Sequence, residues 1–150
     1  MSVHRLEREQ VVDRPLPEVF EFFSRAGNLE RITPPWLRFG LVTREPISMT
    51  TGTVIEYRLR LHGIPVGWLT RIDEWEENER FVDRQVRGPY RLWRHRHEFA
   101  AAEGGTRVRD RVDYELPLGP LGEAARIAFV DRDLERIFDY RLEAVRRLLG

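Results

Sequence analysis

Between residues 53 and 116 apolar and polar side chains alternate with a period of two, interrupted at intervals by glycine, proline, asparagine and glutamate. Alternation of this kind marks strands with one buried and one wet face. It predicts strands at 53–62, 65–75, 80–87, 91–101 and 106–116, with another at 39–45. Turn-rich segments at 48–52, 62–65, 76–79, 88–89 and 103–105 separate them. The first dozen residues read as a weaker strand. Pro15 and Pro17 then open a short helix at 17–23, because proline suits the first turn of a helix. A second short helix at 27–32 is stopped by Thr33-Pro34-Pro35, and Trp36-Leu37 follow in a loop. From Leu121 the period changes to three and four, through Ile127, Val130, Leu134, Ile137, Val145 and Leu148. This predicts one amphipathic helix to the end of the chain, on the order of 40 Å long at about 1.5 Å per residue.

The strand patterns also predict a pairing. With Glu103-Gly104 as a two-residue turn, Ala102 faces Gly105, Phe99 faces Val108, His97 faces Asp110, His95 faces Val112 and Trp93 faces Tyr114. On the other face Glu98 meets Arg109 and Arg94 meets Asp113, and only Arg96 against Arg111 is a poor match. With 62–65 as the preceding loop, Leu61 faces Val66, Leu59 faces Trp68, Tyr57 faces Thr70 and Ile55 faces Ile72. In the next hairpin Ile72 faces Phe81, Thr70 faces Asp83 and Trp68 faces Gln85. The result is a run of antiparallel pairs with one apolar and one charged face.

The apolar face carries an anomaly. Trp93, His95, His97 and Phe99 share one side of their strand, and its bulky apolar ends make that side the interior. Imidazoles stand where a packed core would take valine or leucine. A buried polar group needs a partner or a ligand. His95, His97 and Asp110 are therefore candidates for acid–base chemistry, with Asp110 orienting His97, for the polar floor of a ligand pocket, or for a satisfied interior network. Two imidazoles and a carboxylate are also a recurrent metal-ligand set, but residues two apart on a strand splay, and no metal or other cofactor is assigned. Asp83, Gln85 and Arg141 project inward as well. Arg141 is either the counter-ion of Asp83 or Asp110, or a fork of donors for a ligand carboxylate or enolate. Trp36, Tyr57, Trp68, Trp93, Tyr114 and Phe138 are either plain core or aromatic groups beside the polar cluster that fit the wall of a cavity.

Composition narrows the classes. One hundred and fifty residues fit a single domain, 1–150. Acids and bases balance at 25 each, so net charge calls for neither nucleic acid nor an anionic membrane. Arginines line the outer sheet face (Arg58, Arg60, Arg71, Arg84, Arg94, Arg96, Arg109, Arg111), but Glu56, Asp73, Glu98 and Asp113 interleave them and no aromatic platform accompanies them, so no nucleic-acid partner is expected. Lysine is absent, which removes Schiff-base chemistry. Cysteine is absent too, which fits a cytoplasmic protein. No run is long enough to span a bilayer and no signal peptide is evident. Oligomeric state is open.

Several motifs carry a family resemblance: Ile32-Thr33-Pro34-Pro35-Trp36-Leu37; Gly63-Ile64-Pro65 followed by Trp68; Phe81-Val82-Asp83-x-Gln85-x-x-Gly88-Pro89-Tyr90; Trp93-x-His95-x-His97-x-Phe99; Asp110-x-Val112-x-Tyr114-x-Leu116-Pro117; and Phe138-x-Tyr140-Arg141. With the element order, they make the chain resemble the START-like (SRPBCC, Bet v 1-like) superfamily, and within it the bacterial polyketide cyclase/dehydrase-type ligand-binding group. The resemblance implies an α+β helix-grip fold, in which a curved antiparallel sheet of about seven strands wraps a long C-terminal helix around an apolar cavity. It implies binding of a small hydrophobic or aromatic molecule above a polar floor, or, alternatively, a cyclase or dehydratase acting on a polyketide-like or enolisable substrate through His/Asp chemistry. Fold alone does not choose between them.

Overall fold

The structure, a computed structural model, describes residues 3–150. Strand β1 (His4–Val12) leads into α1 (Leu16–Ser24), a 3₁₀ segment at Ala26–Ile32 and a shorter one at Pro35–Leu37. Six strands follow: β2 (Gly40–Leu41), β3 (Val54–Leu61), β4 (Ile64–Glu76), β5 (Arg80–Arg87), β6 (Leu92–Ala102) and β7 (Gly105–Glu115). A helical run closes the chain: α2 (Gly119–Ala125), a π turn (Arg126–Val130) and α3 (Asp131–Leu149). The seven strands form one antiparallel sheet in the order β1-β7-β6-β5-β4-β3-β2. Each hairpin from β3 to β7 pairs with its sequence neighbour, and β1 closes the far edge on β7. The fold is α+β and helix-grip, with α3 held in the concave face of the sheet. The strand expected at 39–45 shrinks to two residues, and of the strand expected over the first dozen, residues 1–2 lie outside the described part.

The β6–β7 register is as the pattern predicts, from Trp93 opposite Tyr114 to Ala102 opposite Gly105. Gly105 is obligatory there. Its φ is +144°, and a Cβ would lie 1.9 Å from the carbonyl oxygen of Val12, where β1 crosses close behind the turn.

The two preceding hairpins differ from expectation by two residues. His62 and Gly63, at φ +50° and +82°, form a tight two-residue turn of the primed type. Leu61 therefore pairs with Ile64, Leu59 with Val66 and Tyr57 with Trp68. Next door Thr70 pairs with Gln85 and Ile72 with Asp83, and an irregularity between Ile72 and Glu74 then sets Trp75 opposite Phe81. A shift of two leaves each side chain on its expected face, so the interior is conserved although the partners change. The bulge alters parity beyond it, which brings Trp75 inward against Phe20, ring centroids 5.3 Å apart.

The main core lies at one end of the helix. Val12, Val19, Phe20, Phe99, Val108, Ala144 and Val145 are buried together, and Phe20 meets Phe81, Phe99 and Trp75 edge-on. The predicted helical stripe holds from Leu134 onward. It fails at Ile127, which is 72% exposed, because the π turn at 126–130 inserts an extra residue and rotates the preceding turns out of phase. On the convex face several of the arginines are paired: Arg84 with Asp73 at 2.9 Å, Arg94 with Glu74 at 3.1 Å and Arg96 with Glu98 at 3.2 Å. Arg111, opposite Arg96, keeps a buried Nε with no hydrogen-bond partner among the described residues. No helix among the described residues is long and apolar enough to cross a membrane.

Candidate functional site

Sheet curvature leaves a cavity of about 180 Å³ between β3–β6, the 3₁₀ segments and α3. Tyr57, Trp68, Trp93 and Phe138 supply its aromatic wall, and Asp83, His95, His97 and Arg141 its polar end. Eight of the twelve residues singled out in the sequence thus border one space. The other four do not. Asp110 sits one layer behind His95. Gln85 turns toward the chain after β5, where its amide oxygen accepts from the Tyr90 N–H at 3.0 Å and its amide nitrogen donates to the Tyr90 carbonyl at 2.6 Å. Tyr114 donates its hydroxyl to Asp131. Trp36 lies half-exposed on the outer side of α3, against Tyr140 and under Arg136, because the 3₁₀ turn that buries Leu37 swings its neighbour outward.

The polar end is a chain of five side chains from four elements. His97 Nε2 lies 2.6 Å from Asp83 Oδ2, and His95 Nε2 lies 2.7 Å from Asp110 Oδ1. Arg141, arriving from α3, places Nη2 at 3.4 Å from both His97 Nδ1 and Asp110 Oδ1. Backbone register alone would pair His97 with Asp110 and His95 with Asp83, and the sequence pattern led to the first of these. The side chains cross instead. Asp110 serves His95, and the 3.6 Å between His97 Nδ1 and Asp110 is too long for a hydrogen bond. Diagonal neighbours on a sheet stand about 7–8 Å apart, within reach of an imidazole and a carboxylate extended toward each other. The crossing also lets the rings stack: His95 on His97 at 3.7 Å, and His97 on Phe81 at 4.0 Å.

The neighbours assign the His97 proton. A guanidinium only donates, so Nδ1 facing Arg141 is the acceptor and Nε2 carries the hydrogen donated to Asp83. Burial pushes His97 down to about 4, the adjacent His95 and the Arg141 cation act in the same sense, and the hydrogen bond and charge of Asp83 oppose them. His97 is therefore neutral at pH 7. For both carboxyls burial favours the neutral acid but is overruled. Asp83 is held low chiefly by its hydrogen bond to His97, and Asp110 falls well below the usual carboxylate range through Arg141 and then His95. Both are ionised, and Arg141 is the counter-ion of Asp110.

Asp83, His95 and His97 bring three ligand-type atoms within 4.8 Å of one another. The stacking disfavours a shared ion. Imidazole lone pairs lie in the ring plane, and two planes 21° apart and stacked face to face direct them nearly parallel rather than to one point. Arg141 adds a fixed positive charge beside them.

Two contributors escaped the sequence reading. Phe81, opposite His97, is the face on which the imidazole stack rests. Phe23 on α1 caps the Arg141 guanidinium at 5.4 Å, with Phe138 at 5.8 Å on α3. Alternation in β5 flagged Phe81 as buried, but nothing local signals that α1 reaches the same pocket.

A family described as polyketide cyclase / dehydrase and lipid transport matches residues 12–139. The chain belongs to that family. Solved structures agree on the fold. The Zhui aromatase/cyclase from a Streptomyces species aligns with a TM-score of 0.76 at 16% identity, over 96% of this chain and 92% of its own. Ara h 8.0201 gives 0.70 at 18%, over 99% and 98%. A protein from Chromobacterium violaceum gives 0.74 at 12%, over 97% and 96%. At such identities the likeness establishes the Bet v 1-like architecture and nothing about activity. No curated protein matches the chain.

Proposed function

We propose that this member of the family binds one small hydrophobic or aromatic molecule in the cavity under α3, its polar end against Asp83, His95 and His97. One observation carries the reading: an aromatic-walled space that ends on ionised and hydrogen-bonding groups rather than on packed aliphatic ones. The volume is adequate, since an apolar cavity of about 150 Å³ accepts benzene. Native mass spectrometry of the purified protein, with thermal-shift measurements against a panel of flat aromatic compounds, tests it. A bound mass or a concentration-dependent rise in Tm supports the proposal. A chain that takes up none of the panel and carries no bound mass removes it.

A second reading, a cyclase or dehydratase acting on a polyketide-like or enolisable substrate, has its own support. His95 gives Nε2 to Asp110, and its Nδ1 makes no hydrogen bond among the described residues. A carboxylate orienting one imidazole nitrogen while the other meets the substrate is the arrangement that proton transfer needs. Both nitrogens of His97 are engaged, so His95 is the acid–base group in this reading and His97 its support. Turnover of an enolisable aromatic substrate should then fall by 10²-fold or more in His95→Gln and much less in His97→Gln. Equal loss, or none, in the two variants abandons it.

A further inference from the structure

The polar end of the cavity is asymmetric in what it offers a ligand. Within the five-residue chain every line of donation ends on a carboxylate: Arg141 donates to Asp110 and to His97, His97 to Asp83, and His95 to Asp110. Arg141 Nη2 is shared between Asp110 and His97, and its guanidinium lies between Phe23 and Phe138. Its charge is met by Asp110. Asp83 is therefore the carboxylate of the cluster that borders the pocket, and it makes no hydrogen bond to a cation among the described residues. Its Oδ2 takes the His97 proton. Its Oδ1 has no partner among the described residues, and the side chain is 21% exposed, into the cavity.

Tyr57 stands on the same wall. Its hydroxyl makes no hydrogen bond among the described residues, although the residue is only 8% exposed. Burial, with the charge of Asp83 adding to it, pushes its ionisation up, so it stays a phenol. An acceptor that cannot donate and an unpartnered hydroxyl thus border one mostly aromatic space.

We infer that the cavity selects a neutral aromatic molecule bearing a hydroxyl group, which donates to Asp83 and accepts from Tyr57, and that it rejects the same ring bearing a carboxylate. This rests on the binding function proposed above and names its ligand class. A hydroxyl is donor and acceptor at once and satisfies both wall groups. A carboxylate only accepts, and it would sit beside an ionised Asp83 in a poorly hydrated space. An ammonium offers donors but leaves Tyr57 without an acceptor and loses more hydration on entering an aromatic pocket.

Four probes with one ring system decide it: naphthalene, 2-naphthol, 2-naphthoate and 2-naphthylmethylammonium, titrated calorimetrically into the full chain at pH 7. 2-Naphthol should bind about tenfold tighter than naphthalene, the gain of roughly one hydrogen bond to a charged group, and 2-naphthoate more weakly than naphthalene. Tyr57→Phe should cost 2-naphthol several-fold more than it costs naphthalene, and Asp83→Asn should remove most of the penalty on 2-naphthoate. Because Asp83 also holds His97, the Asn variant counts only if its circular dichroism is that of the parent; Tyr57→Phe stands independently. Binding of 2-naphthoate or the ammonium more tightly than 2-naphthol overturns the inference, as does 2-naphthol no tighter than naphthalene. If naphthalene binds and the ranking fails, the ligand class alone falls. If none of the four binds, the binding function falls and the ligand class with it.

Discussion

His97 donates to Asp83 at 2.6 Å and not to Asp110, which stands directly opposite it on the adjacent strand. The crossing splits the interior cluster into two His/Asp pairs with a shared hub, Arg141. It also separates the roles of the two carboxylates, which can be tested one at a time.

The titration of His97 should follow Asp83. Asp83 favours the imidazolium, while burial, His95 and Arg141 disfavour it. Asp83→Asn removes the favourable contribution, so the His97 midpoint should drop further below about 4. Histidine-resolved NMR on parent and variant measures it. A His97 midpoint that rises toward the free-imidazole value in Asp83→Asn would contradict the crossed pairing.

Acid should weaken the fold earlier than carboxylate protonation alone would. In the unfolded chain His97 titrates near the ordinary histidine value of about 6.5, and burial brings it in the folded protein to about 4. Above both values the group is neutral in either state and contributes nothing. As pH falls between them only the unfolded chain takes the proton, so stability is lost, about 2 kcal/mol by pH 5 and about 3 kcal/mol by pH 4. Asp83 and Asp110, both held low, remain ionised in the folded protein through that window, and their own losses set in only at its lower edge, as the unfolded carboxylates begin to protonate, and deepen below it. Urea unfolding at pH 7 and pH 5 should show the decline, and His97→Gln should flatten it. Equal pH slopes in parent and variant would rule out a buried neutral His97.

Gly105→Ala should destabilise by more than an exposed glycine change. The added methyl meets the Val12 carbonyl oxygen at 1.9 Å and a φ of +144°, so β1 must move off β7. Gly63→Ala carries a positive φ of +82° but meets nothing within 4 Å and should cost only about 1 kcal/mol, the strain of the left-handed turn. Urea denaturation of the two variants gives the comparison, with a loss above about 2 kcal/mol expected for Gly105→Ala.

Phe20→Ala should cost about 3–5 kcal/mol. Phe20 is 3% exposed and sits edge-on to three rings, so its loss leaves a cavity that the rigid aromatic neighbours cannot fill. The parallel change Trp36→Ala should move stability by well under that, because Trp36 lies half-exposed outside the core. Thermal or urea unfolding of both variants checks the contrast.

The sequence by itself determined the faces. Alternation with a period of two fixes which side chains point inward even where a turn is misjudged, because a two-residue slip preserves parity; Tyr57, Trp68 and Asp83 stayed interior although their cross-strand partners changed. It also determined the β6–β7 register, through the Glu103-Gly104 turn and complementary charges, and the placement of Arg141 on the buried stripe of α3. Tertiary structure decided the rest. Whether His97 takes Asp83 or Asp110 depends on which diagonal the rings follow once they stack on Phe81, and that choice is made by side-chain packing across three strands. That Trp36 faces outward, that Gln85 is spent on Tyr90, and that Phe23 reaches Arg141 depend on a 3₁₀ turn, a loop and the docking of α1. The first two are set by irregular local backbone and the third by segments distant in the chain, and no strand or helix period encodes any of them.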